Sequence, residues 1–237
     1  MGAGEGKERV VDTGVRRASR AQDAVRLLFL LDRCGAPCGG GQADEEPQGA
    51  VAVVRGQKRL QALDFWLRNP DYLADELLNQ VEAGKVDDTA WSLERADALL
   101  QGDEPEISRY PMVRWRFGAW EALDDALGLL YAHGLIDIVP VGEPPTRVDR
   151  WDYYLLPAGR EMAAELRTAA ADLAWYDERA VVVLAVAGQS SGSQLKALQY
   201  AQAEYERTVW KASISGITDR VRERLAQVTK HRVGAGG

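Results

Sequence analysis

A chain of 237 residues with 36 acidic and 29 basic side chains, a formal net charge of -7, is long enough to bury a sizeable core as one large domain or two small ones. That balance argues against a free-standing nucleic-acid binder, whose phosphate contacts need a basic face, though it leaves room for a local basic patch. Two cysteines, Cys34 and Cys38 in CGAPCGGG, and two histidines, His133 and His231, are too few for a zinc site or a disulfide framework, so no metal and no cofactor is expected.

Residues 1–19 are glycine-rich and charged, and are expected to be disordered. The start MGAGEGKERVVDTG lacks the apolar segment of a secretory signal. The longest apolar run, Ala180–Gly188, is too short to span a bilayer, and the expectation is a cytoplasmic protein away from membranes. AQDAVRLLFLLDRCG reads as a helix with Val25, Leu27, Leu28 and Leu31 on one side, stopped at Gly35. GAPCGGGQADEEPQGA is loop-forming by composition. QKRLQALDFWLRN is helical, with Leu60, Leu63 and Leu67 in phase. Asn69-Pro70 breaks it, and Pro70 suits the first position of the next helix, which Gly84 ends. TAWSLERADALL adds another helix.

QGDEPEISRYP is a linker by composition, and MVRWRF a short strand or extended lead-in. From Trp120 the pattern is helical to Gly134, with Glu121, Asp124 and Asp125 on the polar face. LIDIVPV and RWDYYLL read as two strands joined through GEPPTRVD. A turn at Gly159 leads into a helix expected to bury Met162, Leu166, Ala169 and Leu173. Residues 180–188 fit helix or strand equally, since their β-branched content favours one and their flanks the other. SGSQLKALQYAQAEYERTVW and TDRVRERLAQVTKHR are helical.

Helix, glycine, strand, loop, strand, Pro-Ala-Gly, helix is the ending of a winged-helix domain. The fold class is therefore mainly α with a small β wing: one or more winged-helix domains plus C-terminal helices. The expected organisation is a disordered start at 1–19 and an N-terminal helical, winged-helix-like domain at 20–103. A winged-helix domain at 104–166 and a C-terminal helical interaction region with a flexible tail at 167–237 complete it.

The helix before the wing is acidic where a DNA reader needs cations or amides. Arginines nearby offer a phosphate contact instead: Arg147 and Arg150 on the wing, Arg114 and Arg116 on its lead-in. Arg55, Lys58 and Arg59 form a second group, at a helix start where the dipole disfavours cations. For any single one of the four wing and lead-in arginines, ion pairing with neighbouring acids is the favoured alternative, and for the second group a solvated polar face. Catalytic signatures fail. LAVAGQSSGSQLKAL has the outline of a P-loop, but Gly192 is followed by Ser193-Gln194 and Lys196 is misplaced. Ser191 and Gln194 fit a capping box instead. A non-enzyme is expected.

Three stretches, KRLQALDFWLRNPDYL, MVRWRFGAWEALDDALGLLYAHGLI and YLLPAGREMAAEL, are followed by SGSQLKALQYA. In this order they resemble the middle component of three-component ABC-ATPase systems of bacteria, the Lamassu type of anti-phage defence. The resemblance covers most of residues 20–205. Its signals are the runs Leu63–Pro70 and Arg116–Trp120. It implies an accessory subunit akin to the tandem winged-helix partners of condensin-like complexes. Its partners would be an SMC-like ATPase subunit and an effector subunit, often a nuclease, with DNA held through the complex. Tyr205, Trp210 and Leu225, in the C-terminal helices, are the candidate interface anchors. The alternative is a winged-helix transcription regulator that binds DNA as a dimer.

Overall fold

The structure, a computed structural model, describes residues 19–39, 46–102, 113–115, 118–120, 122–169, 171–209 and 214–235. At 113–115, 118–120, 171, 205 and 232–235 it describes the backbone alone. The chain is mainly helical, with a small antiparallel sheet whose outer hairpin is the wing.

Helix α1 (Arg20–Cys34) starts in a capping box: Ser19 Oγ accepts from the Gln22 amide, and the Gln22 side chain accepts from the Ser19 amide. Leu27, Leu28, Phe29, Leu30 and Leu31 are all buried. Five successive buried residues face every side of a helix, so α1 is the central rod rather than an amphipathic one. Against it pack α2 (Gln57–Arg68), α5 (Asp124–Ala132), α6 (Pro157–Ala169) and α7 (Ala171–Ala187). Pro70 opens α3 (Pro70–Glu82), as expected, and α3 pairs with α4 (Thr89–Gln101), which Asp88 caps through the Trp91 amide.

The sheet has the order β1 (Ala36–Pro37), β2 (Ala52–Arg55), β6 (Arg147–Leu155), β5 (Ile136–Glu143). The hairpin β5–β6 matches the expected wing. Strand β2 has no counterpart in the sequence reading, and β1 lies within what composition marks as loop. AVVR is too short to show a period. Its pairing with β6, from Ala52↔Leu155 to Arg55↔Asp152, makes it a strand. One hydrophobic core draws on residues from Ala24 to Leu225, so the three segments expected from composition share it.

Three local expectations change. Trp120 lies in β4 (Gly118–Trp120), paired with β3 (Val113–Trp115), and the helix begins at Asp124. An aromatic residue suits a strand as well as a helix, and pairing decides. Asp124 and Asp125 thereby occupy the first turn of α5, where the dipole favours acids; Glu121 lies outside the described residues. In α6, Ala163 is buried while Met162 and Ala169 are exposed and Leu166 is half-buried; Leu173, expected on the same helix, is half-buried in α7. Gly159 belongs to the helix, not to a turn. A Cβ there would stand 2.2 Å from the Leu135 carbonyl oxygen, so the bare backbone lets α6 close onto the root of the wing. Residues 180–187 are helical, with Val182, Val183, Val186 and Ala187 buried and Val181 exposed.

The chain closes with α8 (Gly192–Tyr200), α9 (Ala203–Arg207) and α10 (Thr218–Ala235). Ser191 and Gln194 form the expected capping box of α8. Asp71 on α3 receives the Ile217 amide at 2.6 Å, and Asp75 pairs with both Arg220 and Arg224, which holds α10 on α3. Cys34 and Cys38 are free thiols. Burial pushes the Cys34 thiol up to about 12, which makes it an inert part of the core.

Two carboxylates organise the interior. Asp64 is fully buried between Arg26, at 2.6 Å, and Arg68, at 3.4 Å. Removing it leaves two buried guanidinium groups without their shared counter-charge. Asp64→Ala is therefore expected to cost about 3–5 kcal/mol in urea unfolding. Arg147→Ala, on the exposed wing, should stay within about 0.5 kcal/mol.

Asp177 on α7 accepts from Arg33 on α1, at 2.6 and 2.7 Å, and from Arg167 on α6 at 2.9 Å. Burial works to raise its carboxyl, but the hydrogen bonds from the two arginines outweigh this and hold it below the usual carboxylate value. A folded pKa below the unfolded one lends stability that is present above the unfolded value, about 4, and is lost as pH falls through the folded value. The urea midpoint should drop on acidification below about pH 4. Asp177→Asn should flatten that part of the profile.

Candidate nucleic-acid interface

Of the two groups of cations, the structure brings one together with part of the other. Strand β2 ends at Arg55, level with Asp152, while β6 runs on as the outer arm of the wing. Helix α2 springs from Gly56 at that level. Its amide donates to the Trp151 carbonyl at 3.1 Å and to Asp152 Oδ1 at 3.0 Å. The left-handed conformation there, φ 87°, is one that glycine adopts without strain. Arg55, Lys58 and Arg59 are thereby set beside Arg150.

A third wall comes from α8. A Cβ on Gly192 would stand 2.5 Å from the Arg59 amide nitrogen, so the starts of α8 and α2 touch backbone to backbone. Arg59 reaches across and donates to the Ser190 and Gly188 carbonyls beyond the end of α7, the latter at 2.9 Å. The result is a cleft of about 470 Å³ between residues 55–59, 148–151 and 191–193.

The cations differ in what they already hold. Arg147 makes a two-pronged pair with Asp149, at 2.8 and 2.9 Å, and lies on the arm beyond the cleft. Arg150 pairs with the buried Asp152 at 2.9 Å, and Arg55 with Glu46 at 3.2 Å. Arg59 is occupied with carbonyl groups, and burial lowers its pKa. Lys58 is exposed on the first turn of α2, which has no acidic residue and no side-chain cap. Arg114 lies on β3, apart from the paired elements of the cleft in sheet order; Arg116 lies outside the described residues. For Arg147 and Arg150 the ion pairs are the alternative the sequence favoured. What it missed is the convergence, together with Trp151, Ser191 and Ser193. The only advance signal was Ser191-Gly192-Ser193, an unusually small start for a helix.

The interface candidates divide as well. Leu225 is buried at the floor of a groove between α4 and α10. Tyr205 is described by its backbone in α9, and Trp210 lies outside the described residues. Among the described residues there is no cluster of three histidines, cysteines or acids arranged to hold a metal ion, and no helix is long and apolar enough to cross a membrane.

No family model matches the chain, and comparisons with curated proteins and with solved structures find no significant match.

With Arg147 already neutralised by Asp149, duplex DNA gains little from it. The isolated chain is expected to bind duplex weakly and only at low salt. Arg147→Glu should shift that affinity less than about threefold. Anisotropy of a labelled duplex across a salt series reads both; a tenfold loss would make Arg147 a phosphate contact.

Proposed function

We propose that this protein is a non-catalytic accessory subunit of an SMC-like ABC-ATPase anti-phage defence complex, linking the ATPase to an effector and meeting DNA through the assembly. One observation in the fold supports this beside the sequence resemblance. The groove between α4 and α10, about 820 Å³, has Leu93, Leu100, Leu225 and Ala226 along its length. Glu94 and Asp97 rim one side, Arg222 and Lys230 the other. An apolar floor between rims of opposite charge suits a partner helix: the floor supplies burial and the rims fix its direction. Asp75 and Asp71 hold α10 in place from the opposite side, so the groove is firm rather than a gap between loose helices.

The reading is tested by co-expression with the products of the neighbouring genes, among which it requires an SMC-like ATPase and an effector. Ala226 is exposed on the groove, so Ala226→Arg fills it without entering the core. That variant should keep its circular dichroism spectrum and weaken assembly at least about tenfold, as loss of a central contact does. Assembly at unchanged affinity, measured by interferometry with the purified ATPase, would remove the groove from the interface. Failure of the wild-type chain to co-purify with either product would remove the proposed function.

A further inference from the structure

The cleft at the root of the wing carries more than paired arginines. Trp151 is 42% exposed and Val148 39% exposed, both among the few large apolar side chains that the fold leaves in solvent, and both line this cleft. A strand that buries Asp152, Tyr153, Tyr154 and Leu155 next to them has no shortage of core to offer an indole. Lining the same cleft are Lys58 and the hydroxyl-bearing start of α8, Ser191 and Ser193. A flat aromatic face, a lysine and two hydroxyls along one opening match the parts of a nucleotide: a base to stack, and a phosphate to neutralise and hydrogen-bond. The volume is that of a small-ligand cleft.

We propose that this cleft binds single-stranded nucleic acid, with a base stacked on Trp151 and its phosphate held by Lys58 and the α8 hydroxyls. Asp149 also lines the cleft, the buried Asp152 lies behind it through its bonds to Arg150 and Gly56, and Glu46, not among the lining residues, holds Arg55. With Arg150 paired to Asp152 and Asp149 paired to Arg147, those acids are balanced, and Lys58 supplies the charge for a phosphate. A single strand fits where a duplex does not. The base must be free to leave its stack and reach the indole, which a base paired inside a duplex is not. This goes beyond the assembly reading and does not rest on it, because the isolated chain suffices for the test.

The experiment is anisotropy of a labelled oligo-dT with the full chain, with unlabelled duplex of the same length, thymidine monophosphate and inorganic phosphate as competitors. The strand should bind more tightly than the duplex. Trp151→Ala and Lys58→Glu should each weaken it about tenfold, and Lys58→Glu should also reduce the salt slope by about 0.7. Trp151→Phe keeps an aromatic face and should retain most of the affinity. Both positions are exposed, and circular dichroism confirms each variant's fold; should Trp151→Ala lose helix, the comparison of Trp151→Phe with Lys58→Glu still decides. The proposal is overturned if the duplex competes as well as the strand, or if neither variant changes affinity. Displacement by inorganic phosphate as effective as by the mononucleotide would equally overturn it, since the base would then contribute nothing. A mononucleotide that competes as well as the oligomer would assign the cleft to a free nucleotide instead of a strand.

Discussion

Four backbone pairings between β2 and the inner half of β6 hold the front of this chain to its wing. Without them the hairpin β5–β6 would be a two-stranded ribbon, a structure that is marginal by itself in water. With them, the end of β2 delivers the chain to Gly56 beside Asp152, and α2 must start there. From that point α2 carries Asp64 into the core to meet Arg26, so one short strand fixes both the cleft at the surface and the charge cluster inside. The separation in sequence is nearly a hundred residues, and the chain between the two strands carries α2, α3, α4 and α5.

Acidic side chains outnumber basic ones, 36 to 29, and several of them join helices. Asp32 and Asp177 tie α1, α6 and α7 together through Arg33, Arg160 and Arg167. Asp71 and Asp75 fasten α10. Aspartate, with its short reach, serves these inter-helix positions well: it loses little rotamer freedom and brings the arginine's helix close. These carboxylates form an arginine-bound framework, and the net charge of -7 comes from the acids that outnumber the cations. Arg147 and Arg150 on the wing take part in the same kind of pairing.

Legibility followed period and punctuation. Helices α1 to α4 were readable because leucines recur in phase and Gly35, Asn69-Pro70 and Gly84 mark their ends. The wing was readable from Gly134, two apolar runs and Pro157. β2 was not, because four residues carry no period and its partner lies far along the chain. Trp120 misled because an aromatic residue fits either element. In α6, Met162 took the expected core place of Ala163 since size argued for it, while the close approach at Gly159 leaves room at the next inward position only for a methyl group. The cleft was illegible for the same reason as β2. Its walls come from three separate parts of the chain, and only the sheet says that they meet.

Gly192 carries a consequence for any attempt to make this protein sturdier. By helix propensity, alanine should improve a first-turn glycine by a fraction of a kcal/mol, and a screen guided by local preference would choose it early. Here the added methyl would overlap the backbone of Lys58 and Arg59. Relief would come from tilting α8 outward, which draws the Gly188 and Ser190 carbonyls away from the Arg59 guanidinium that bridges the two helices. One hydrogen atom in place of a carbon is what keeps two helix starts locked at a single spacing.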